Sequence, residues 1–257
     1  MAEHVYSSDF YEYIDTGSRN SARAVANLLL GEMKIDSLVD VGSGHGAWAA
    51  EWLSAGVKDV TAVDGDYVKV DQLAIPAENF VAHDLSAPLK LGRKFDLVQS
   101  LEVAEHLSAE HADIFVDSLI RHGDVILFSA AVPHQGGEHH VNEQPPEYWR
   151  EKFAERGYEV FDWVRARIIN NREVKAWYRF NTFIYANKSG KKRLSASILN
   201  ARVPDDQSLQ IGGDFAWALR RTAVRMIPDA FVKPIAMAKS IVEVQFRGDR
   251  FDRRGDD

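Results

Sequence analysis

Between residues 37 and 129, short apolar runs alternate with helical stretches, and this alternation constrains the fold more than any other feature of the chain. The runs are Ser37–Val41, Asp59–Val63, Asn79–Ala82, Phe95–Gln99 and Asp124–Phe128. Each is too short for a buried helix and suits a strand covered on both faces. Helices are predicted over Ser18–Leu30, His45–Ala55, Ala109–Arg121 and Glu147–Arg156. Gly31, Gly56 and Gly157 follow three of them as stops. Val160–Ile168 and Tyr178–Ala186 read as two further strands. The order predicts an α/β fold, a doubly wound and mostly parallel sheet with helices on both faces.

The 257 residues suit one large α/β domain, alone or with a small appendage. A chain of this size buries roughly 70–75% of its unfolded surface and needs no crosslink to fold. With no cysteine, disulfide scaffolds, Cys-ligated zinc, iron–sulfur clusters and thiol catalysis are excluded. Residues 188–257 hold 14 Lys and Arg against 9 Asp and Glu, which is +5. Residues 1–187 hold 17 against 29, which is −12. The composition shifts at Asn187–Arg193, a polar basic run that reads as a linker. We therefore expect a main domain over 1–187 and a basic, largely helical extension over 188–257 with a disordered tail from Gly248 to Asp257. No apolar run approaches the ~18–20 residues of a membrane span. The N-terminus lacks a basic region followed by an apolar core, so a cytoplasmic location is expected.

The strongest local signal is Val39-Asp-Val-Gly-Ser-Gly-His-Gly46, placed after a strand and opening a helix. Glycines at 42, 44 and 46 let the backbone turn sharply and approach a ligand. The next strand runs into Asp64, where an acid can accept both hydroxyls of a ribose. A dinucleotide turn wants G-x-G-x-x-G facing a pyrophosphate. This one is G-x-G-x-G with Asp40 just before it, which repels a pyrophosphate and suits a cationic ligand. The bland alternative is a tight β–α turn with no ligand.

With its segments LVDVGSGHGAWAAEWLSAG, VTAVDGDYV, FVAHDLSAPL, FDLVQSLEVAEHL and VILFSAAVPHQGGEHHVNEQPPEYW, the chain resembles the class I S-adenosylmethionine-dependent methyltransferases over roughly residues 10–187. The resemblance implies a Rossmann-like sheet of seven strands and S-adenosyl-L-methionine as cofactor. It implies that Asp40, Gly42, Ser43 and Gly44 line the methionine side, and that Asp64, followed by Gly65, binds the ribose. Asp84, between His83 and Leu85, would meet the adenine amino group. Ser100 and Leu101 would flank the methionine part. Ser43 stands where many members carry Cys.

Two mechanisms are open for the transfer. Glu102, Glu105 and His106 at i, i+3 and i+4 would share one helical face. Two carboxylates and an imidazole suit Mg²⁺ or Mn²⁺, with a fourth ligand from Glu138-His139-His140. This set resembles the E-x-x-E-H plus distant His of the small-RNA 3′-terminal 2′-O-methyltransferases and ubiquinone-pathway O-methyltransferases, a resemblance that favours His140. There the ion binds the acceptor oxygens and lowers the hydroxyl pKa. The other mechanism uses a histidine general base, His134, His139 or His140, all in the loop after the fifth strand. A Glu-His pair after strand four also occurs in this superfamily without a metal, as a packing feature.

The stretch Ser129–Trp149 resembles a subfamily found beside glycan and natural-product biosynthesis genes. Asn142, Glu143 and Gln144 supply donors and acceptors, and Tyr148 and Trp149 supply flat surfaces, although Trp149 suits the core better. A sugar or similar polar small molecule or glycan is the expected acceptor, methylated on oxygen. The runner-up is N- or C-methylation of a natural product by a histidine base. The non-enzyme alternative is a cofactor-binding partner subunit. The −12 main domain argues against a nucleic-acid partner. The aromatic segment Asp9–Ser18 either lies over the cofactor or packs on the sheet edge. In the extension, Phe215–Met226 and Phe231–Phe246 read as basic amphipathic helices. They pack on the main domain or on a second copy in a homo-oligomer, or lie on an anionic membrane surface next to a lipid-linked acceptor.

Overall fold

The computed structural model describes the backbone of residues 8–226 and the side chains from Gly17 onward. Its core is a seven-stranded sheet: β1 (Ser37–Val41), β2 (Asp59–Asp64), β3 (Phe80–Ala82), β4 (Leu97–Leu101), β5 (Val125–Ser129), β6 (Glu159–Phe161) and β7 (Phe183–Ala186). The spatial order is β3-β2-β1-β4-β5-β7-β6. Strands β1 to β5 are parallel, while β7 runs antiparallel to both β5 and β6. This is a Rossmann-like, doubly wound sheet, and its strand order reverses between β1 and β4.

The pleat sorts the core residues. Leu38 joins a cluster with Trp52 and Ala22 on one face, while Val39 joins Phe115 and Val116 on the other. β4 and β5 are buried at every position, as expected of strands covered on both sides. On the first face lie α1 (Ser8–Leu30) and α2 (Ala47–Ser54). α1 buries Ala22, Val25, Ala26 and Leu29, one stripe at helical spacing. On the second face lie α3 (Ala112–His122) and α4 (Pro146–Ala154). Trp149 of α4 is core, tilted against Phe128 at 5.3 Å between ring centroids.

Three expectations need correction. The segment Asp9–Ser18 does not precede the first helix; its backbone forms the first turns of α1. Val160–Ile168 is not one strand: β6 ends at Phe161, and α5 (Trp163–Ile168) follows. Tyr178–Ala186 is likewise split into α6 (Ala176–Asn181) and the short β7. The last two stretches mix β-branched and aromatic residues with a few polar ones over nine positions, too short a run for a period to separate helix from strand.

The basic run after β7 is not a free linker. Gly190–Arg193 is a 3-10 turn whose Gly190 packs against the backbone of Asp124, where a Cβ would sit 2.0 Å from a carbonyl oxygen. Arg193 donates to Asp96 at 2.7 Å. Ile198, in the single turn α7 (Ala196–Leu199), and Leu194 enter the core on the α1 face. Arg202 bridges to Phe161 at the outer edge of the sheet. Arg150 of α4 donates to the carbonyls of Gln207 and Pro204. The chain then reaches α8 (Phe215–Arg225). The expected helix over Phe231–Phe246 and tail over Gly248–Asp257 lie outside the described residues. Among the described residues, no helix is long and apolar enough to cross a membrane.

Candidate active site

The carboxyl ends of β1 to β4 and the loop after β5 surround one cavity of about 1030 Å³. That is the edge at which an open α/β sheet binds ligands, and the volume matches the upper range of small-molecule sites, roughly 300–1,000 Å³.

The glycine turn forms one wall. Gly42 and Ser43 both donate to the Val63 carbonyl, at 2.8 and 3.2 Å, which ties the turn to β2. Gly42 has φ 86°, and a Cβ there would lie 2.3 Å from Val103 Cγ2. No other residue fits that position. Asp64 is buried at the end of β2 and accepts from the Gly44 amide at 2.6 Å and the Gly65 amide at 2.7 Å. The Tyr67 hydroxyl also donates to it. Gly42, Gly44, Asp64, Gly65, His83, Asp84 and Leu85 all line the cavity. Asp84 is exposed and accepts from the amide and hydroxyl of Ser86, which hold its carboxyl below the usual range. Tyr67 also lines the cavity, its ring standing where a side chain on Gly65 would be. The only signal for it in the sequence was an aromatic close behind the strand-end acid.

Asp40, Ser43, Ser100 and Leu101 are not among the lining residues. Asp40 lies beneath the turn, 3% exposed. Its Oδ1 accepts from Gln99 Nε2 at 2.9 Å, and Gln99 in turn accepts from Trp52 Nε1 at 2.8 Å. Its Oδ2 has no partner. Burial pushes the Asp40 carboxyl up to about 7, against the Gln99 hydrogen bond and with help from the charge of Asp64.

The ionisable cluster lies at the opposite wall: Glu102 and His106 line the cavity, and Glu105 and His140 sit behind that lining. Glu102 follows β4 with φ 57°, a left-handed conformation rare for a residue with a side chain. Its amide donates to the Ser129 carbonyl at 3.0 Å. Its carboxylate is bracketed by amides, accepting from Gln135 Nε2 at 2.6 Å and Asn181 Nδ2 at 3.3 Å. Burial raises its pKa and the two amides oppose the rise. Nothing local in the sequence pointed to Gln135 or Asn181, since α6 is far along the chain.

Glu105 is different. It is fully buried, and both carboxylate oxygens lack a hydrogen-bond partner. Burial, then repulsion from Glu102, holds its pKa well above the ordinary value. His140 Nε2 lies 4.0 Å from Glu105 Oε1, and the rings of His106 and His140 meet edge to face at 4.9 Å. One donor atom from each of Glu105, His106 and His140 falls within 4.8 Å of the others. The outer edge of His106 is exposed. Lost hydration on its inner side, then His140, lowers its pKa to about 4. His140 Nδ1 contacts Glu143 Oε1 at 2.8 Å. A Cβ on Gly137 would sit 2.2 Å from His140 Nε2, so the glycine makes room for this ring.

The structure thus gathers three of the four expected ligands. Glu102 stays outside the set, because it does not share the 3-10 turn Ala104–His106 and its oxygens face the two amides. His139 lines the cavity and His134 is exposed, both with positive φ. Neither joins Glu105 among the described residues.

Residues 39–122 match a family described as a methyltransferase domain. No curated protein matches the chain. Among solved structures, the chain is similar to Streptomyces venezuelae DesVI, at 14% identity and TM-score 0.55, over 72% of this chain and 100% of that one. It is similar to the sugar N-methyltransferase KedS8 from Streptoalloteichus sp ATCC 53650, at 15% identity and TM-score 0.52, over 73% and 95%. It is also similar to magnesium protoporphyrin IX methyltransferase from Synechocystis PCC 6803, solved with bound S-adenosylmethionine, at 17% identity and TM-score 0.50, over 72% and 87%. At these identities the likeness is one of fold.

Proposed function

We propose that this chain, which carries the fold and the matched domain of an S-adenosylmethionine-dependent methyltransferase, methylates a hydroxyl of a sugar, glycan or similar polar small molecule with help from a divalent ion. The observation that carries the metal is Glu105. A buried carboxylate with neither oxygen paired is costly unless a cation or proton meets it. Two imidazoles converge on the same point. A carboxylate with two imidazoles suits a borderline divalent ion, of which Mn²⁺ is one, better than the harder Mg²⁺ expected with two carboxylates. Glu105, His106 and His140 would hold the ion. Once bound, the ion would supply Lewis acidity that makes a hydroxyl easier to deprotonate.

The remaining work falls to residues of the chain. Asp64 Oδ1 is taken by the Gly65 amide and the Tyr67 hydroxyl, and Oδ2, which accepts only from the Gly44 amide, has capacity left for a ribose hydroxyl. The glycine turn lets the backbone approach the cofactor, whose methyl sits on a positive sulfur. Asp64, Asp84 and Glu102 line a cavity that attracts cations. Alignment of the acceptor with that methyl supplies much of the rate. In this reading residues 1–187 are the methyltransferase domain and 188–257 its extension, of which Gly190, Leu194, Ile198 and Leu209 pack into that domain.

A second reading rests on the contact of His140 with Glu143. A histidine oriented by a carboxylate is the usual form of a general base. It would serve an amine acceptor without a metal, as the similarity to a sugar N-methyltransferase suggests. The test is methyl-labelled cofactor with a panel of diol-bearing sugars and amino sugars, with Mn²⁺ or with EDTA. Transfer to hydroxyl sugars that EDTA abolishes is the expected result. Transfer to amino sugars that EDTA leaves untouched would replace it with the second reading.

A further inference from the structure

We propose that Arg221 is a positioning residue, and that through it α8 clamps the histidine loop and completes the active site. The loop between β5 and α4 has no helix or strand of its own; backbone bonds to Glu105 and Ala131 hold its second half, and side chains hold the first. On its inner side Glu143 accepts from the His134 amide and the Gly136 amide, both at 2.8 Å, and contacts His140 Nδ1. On its outer side Arg221 Nε donates to the Pro133 carbonyl at 3.0 Å, and Arg220 Nη2 to the Gly136 carbonyl at 3.5 Å. Val224 packs against Gly136, 3.4 Å from where a Cβ would stand. Residues 133–136 are therefore gripped from both sides, by Glu143 within and by α8 without.

The helix is seated independently of that grip. Asp214 caps it by accepting from the Trp217 amide at 2.9 Å. Trp217 is buried against Phe180, with ring centroids 5.7 Å apart. An apolar side chain would serve if α8 were only packing there. Instead a half-buried guanidinium meets a carbonyl of the loop that carries His140, and the charge of Glu143 reaches it. Releasing Pro133 would loosen Glu143, and with it the ring that Glu143 holds. The effect on metal binding rests on the reading of Glu105, His106 and His140 given above; the clamp itself does not.

The test uses the full chain as Arg221→Ala and Arg221→Lys, with Phe215→Ser as a control on the exposed side of α8. Hydrogen exchange is read at the His134 and Gly136 amides, and Mn²⁺ affinity by calorimetry with S-adenosylhomocysteine bound. Arg221→Ala should speed exchange at those two amides roughly ten-fold, the effect of losing one charged hydrogen bond. It should weaken Mn²⁺ about ten-fold, as loss of an outer partner of a metal site does, with S-adenosylhomocysteine affinity unchanged. Arg221→Lys should recover part of both effects, and Phe215→Ser should match the wild type. Unchanged exchange at His134 and Gly136 would overturn the clamp. So would acceleration spread evenly over the sheet amides, which would make Arg221 a general stabiliser. If the wild type binds no Mn²⁺, the metal reading fails, and the exchange result still decides the clamp.

Discussion

Two acids are built in opposite ways, one lining the cavity and one buried behind its far wall. At the β2 end, Asp64 accepts from two backbone amides and a tyrosine hydroxyl. At the β4 end, Glu105 is just as buried and accepts from nothing. A carboxylate held by amides is a preorganised acceptor, ready for neutral donors such as hydroxyls. A carboxylate with no donor awaits a cation. The first therefore reads as a place for a ribose and the second as a place for a charge.

The comparison can be broken first at Glu105. Glu105→Gln should weaken Mn²⁺ by at least ~100-fold, because a neutral amide is a poor ligand for a hard cation. Calorimetry with S-adenosylhomocysteine bound checks this. The same variant should unfold at a higher temperature than the metal-free wild type, since it removes a buried, unpaired carboxyl. An affinity loss paired with a stability gain would mark the group as functional.

Asp64→Ala should act on the other wall. The affinity for S-adenosylhomocysteine should fall about 30–100-fold, the loss of two hydrogen bonds to a charged group. Mn²⁺ binding to the free protein should stay within about 2-fold, as expected of sites that do not touch. Loss of both together would mean that the walls are one coupled unit.

Asp40 sharpens the contrast through pH. Its carboxyl titrates near 7 in the fold, against 3.8 ordinarily. Between those values the native state keeps a proton that the unfolded chain has released. Stability therefore falls as pH rises through this window and levels off above about pH 7. The total fall is at most about 4 kcal/mol, from roughly three pH units at ~1.4 kcal/mol each. Asp40→Asn should flatten the curve, as measured by urea unfolding from pH 4 to 8. The smallest effect belongs to Tyr67→Phe. It should change cofactor affinity by about 3-fold or less, because only one exposed hydroxyl bond to Asp64 is removed.

The two walls also differ in how far the sequence revealed them. The ribose wall is local: a strand, three glycines, a helix and a strand-end acid lie within Val39–Asp64, and each part constrains the next. The other wall is assembled from distant pieces. Glu105 and His106 carried a spacing that hinted at a metal, the family resemblance added His140, and the three do converge. The same spacing placed Glu102 with them, and the backbone overruled it. A left-handed φ at 102 turns that side chain toward Gln135 and Asn181, whose pairing depends on where α6 lands. The five strands β1 to β5 and the mostly parallel sheet were legible from hydrophobic runs, while their order in space comes from the structure. The α5–β7 region was not, because each helix and strand there is only four to six residues long and aromatic residues run through all of them. The packing of Gly190–Arg193 was hidden by a composition that reads as linker, since the contacts of Arg193 and Gly190 lie with residues near Asp96 and Asp124.

The most direct test is a calorimetric titration of Mn²⁺ into protein saturated with S-adenosylhomocysteine, run in parallel on the wild type and Glu105→Gln. The account predicts one saturable site in the wild type and none in the variant. No site in the wild type, or equal binding in both, would contradict it and leave the buried carboxyl of Glu105 without a cation to meet.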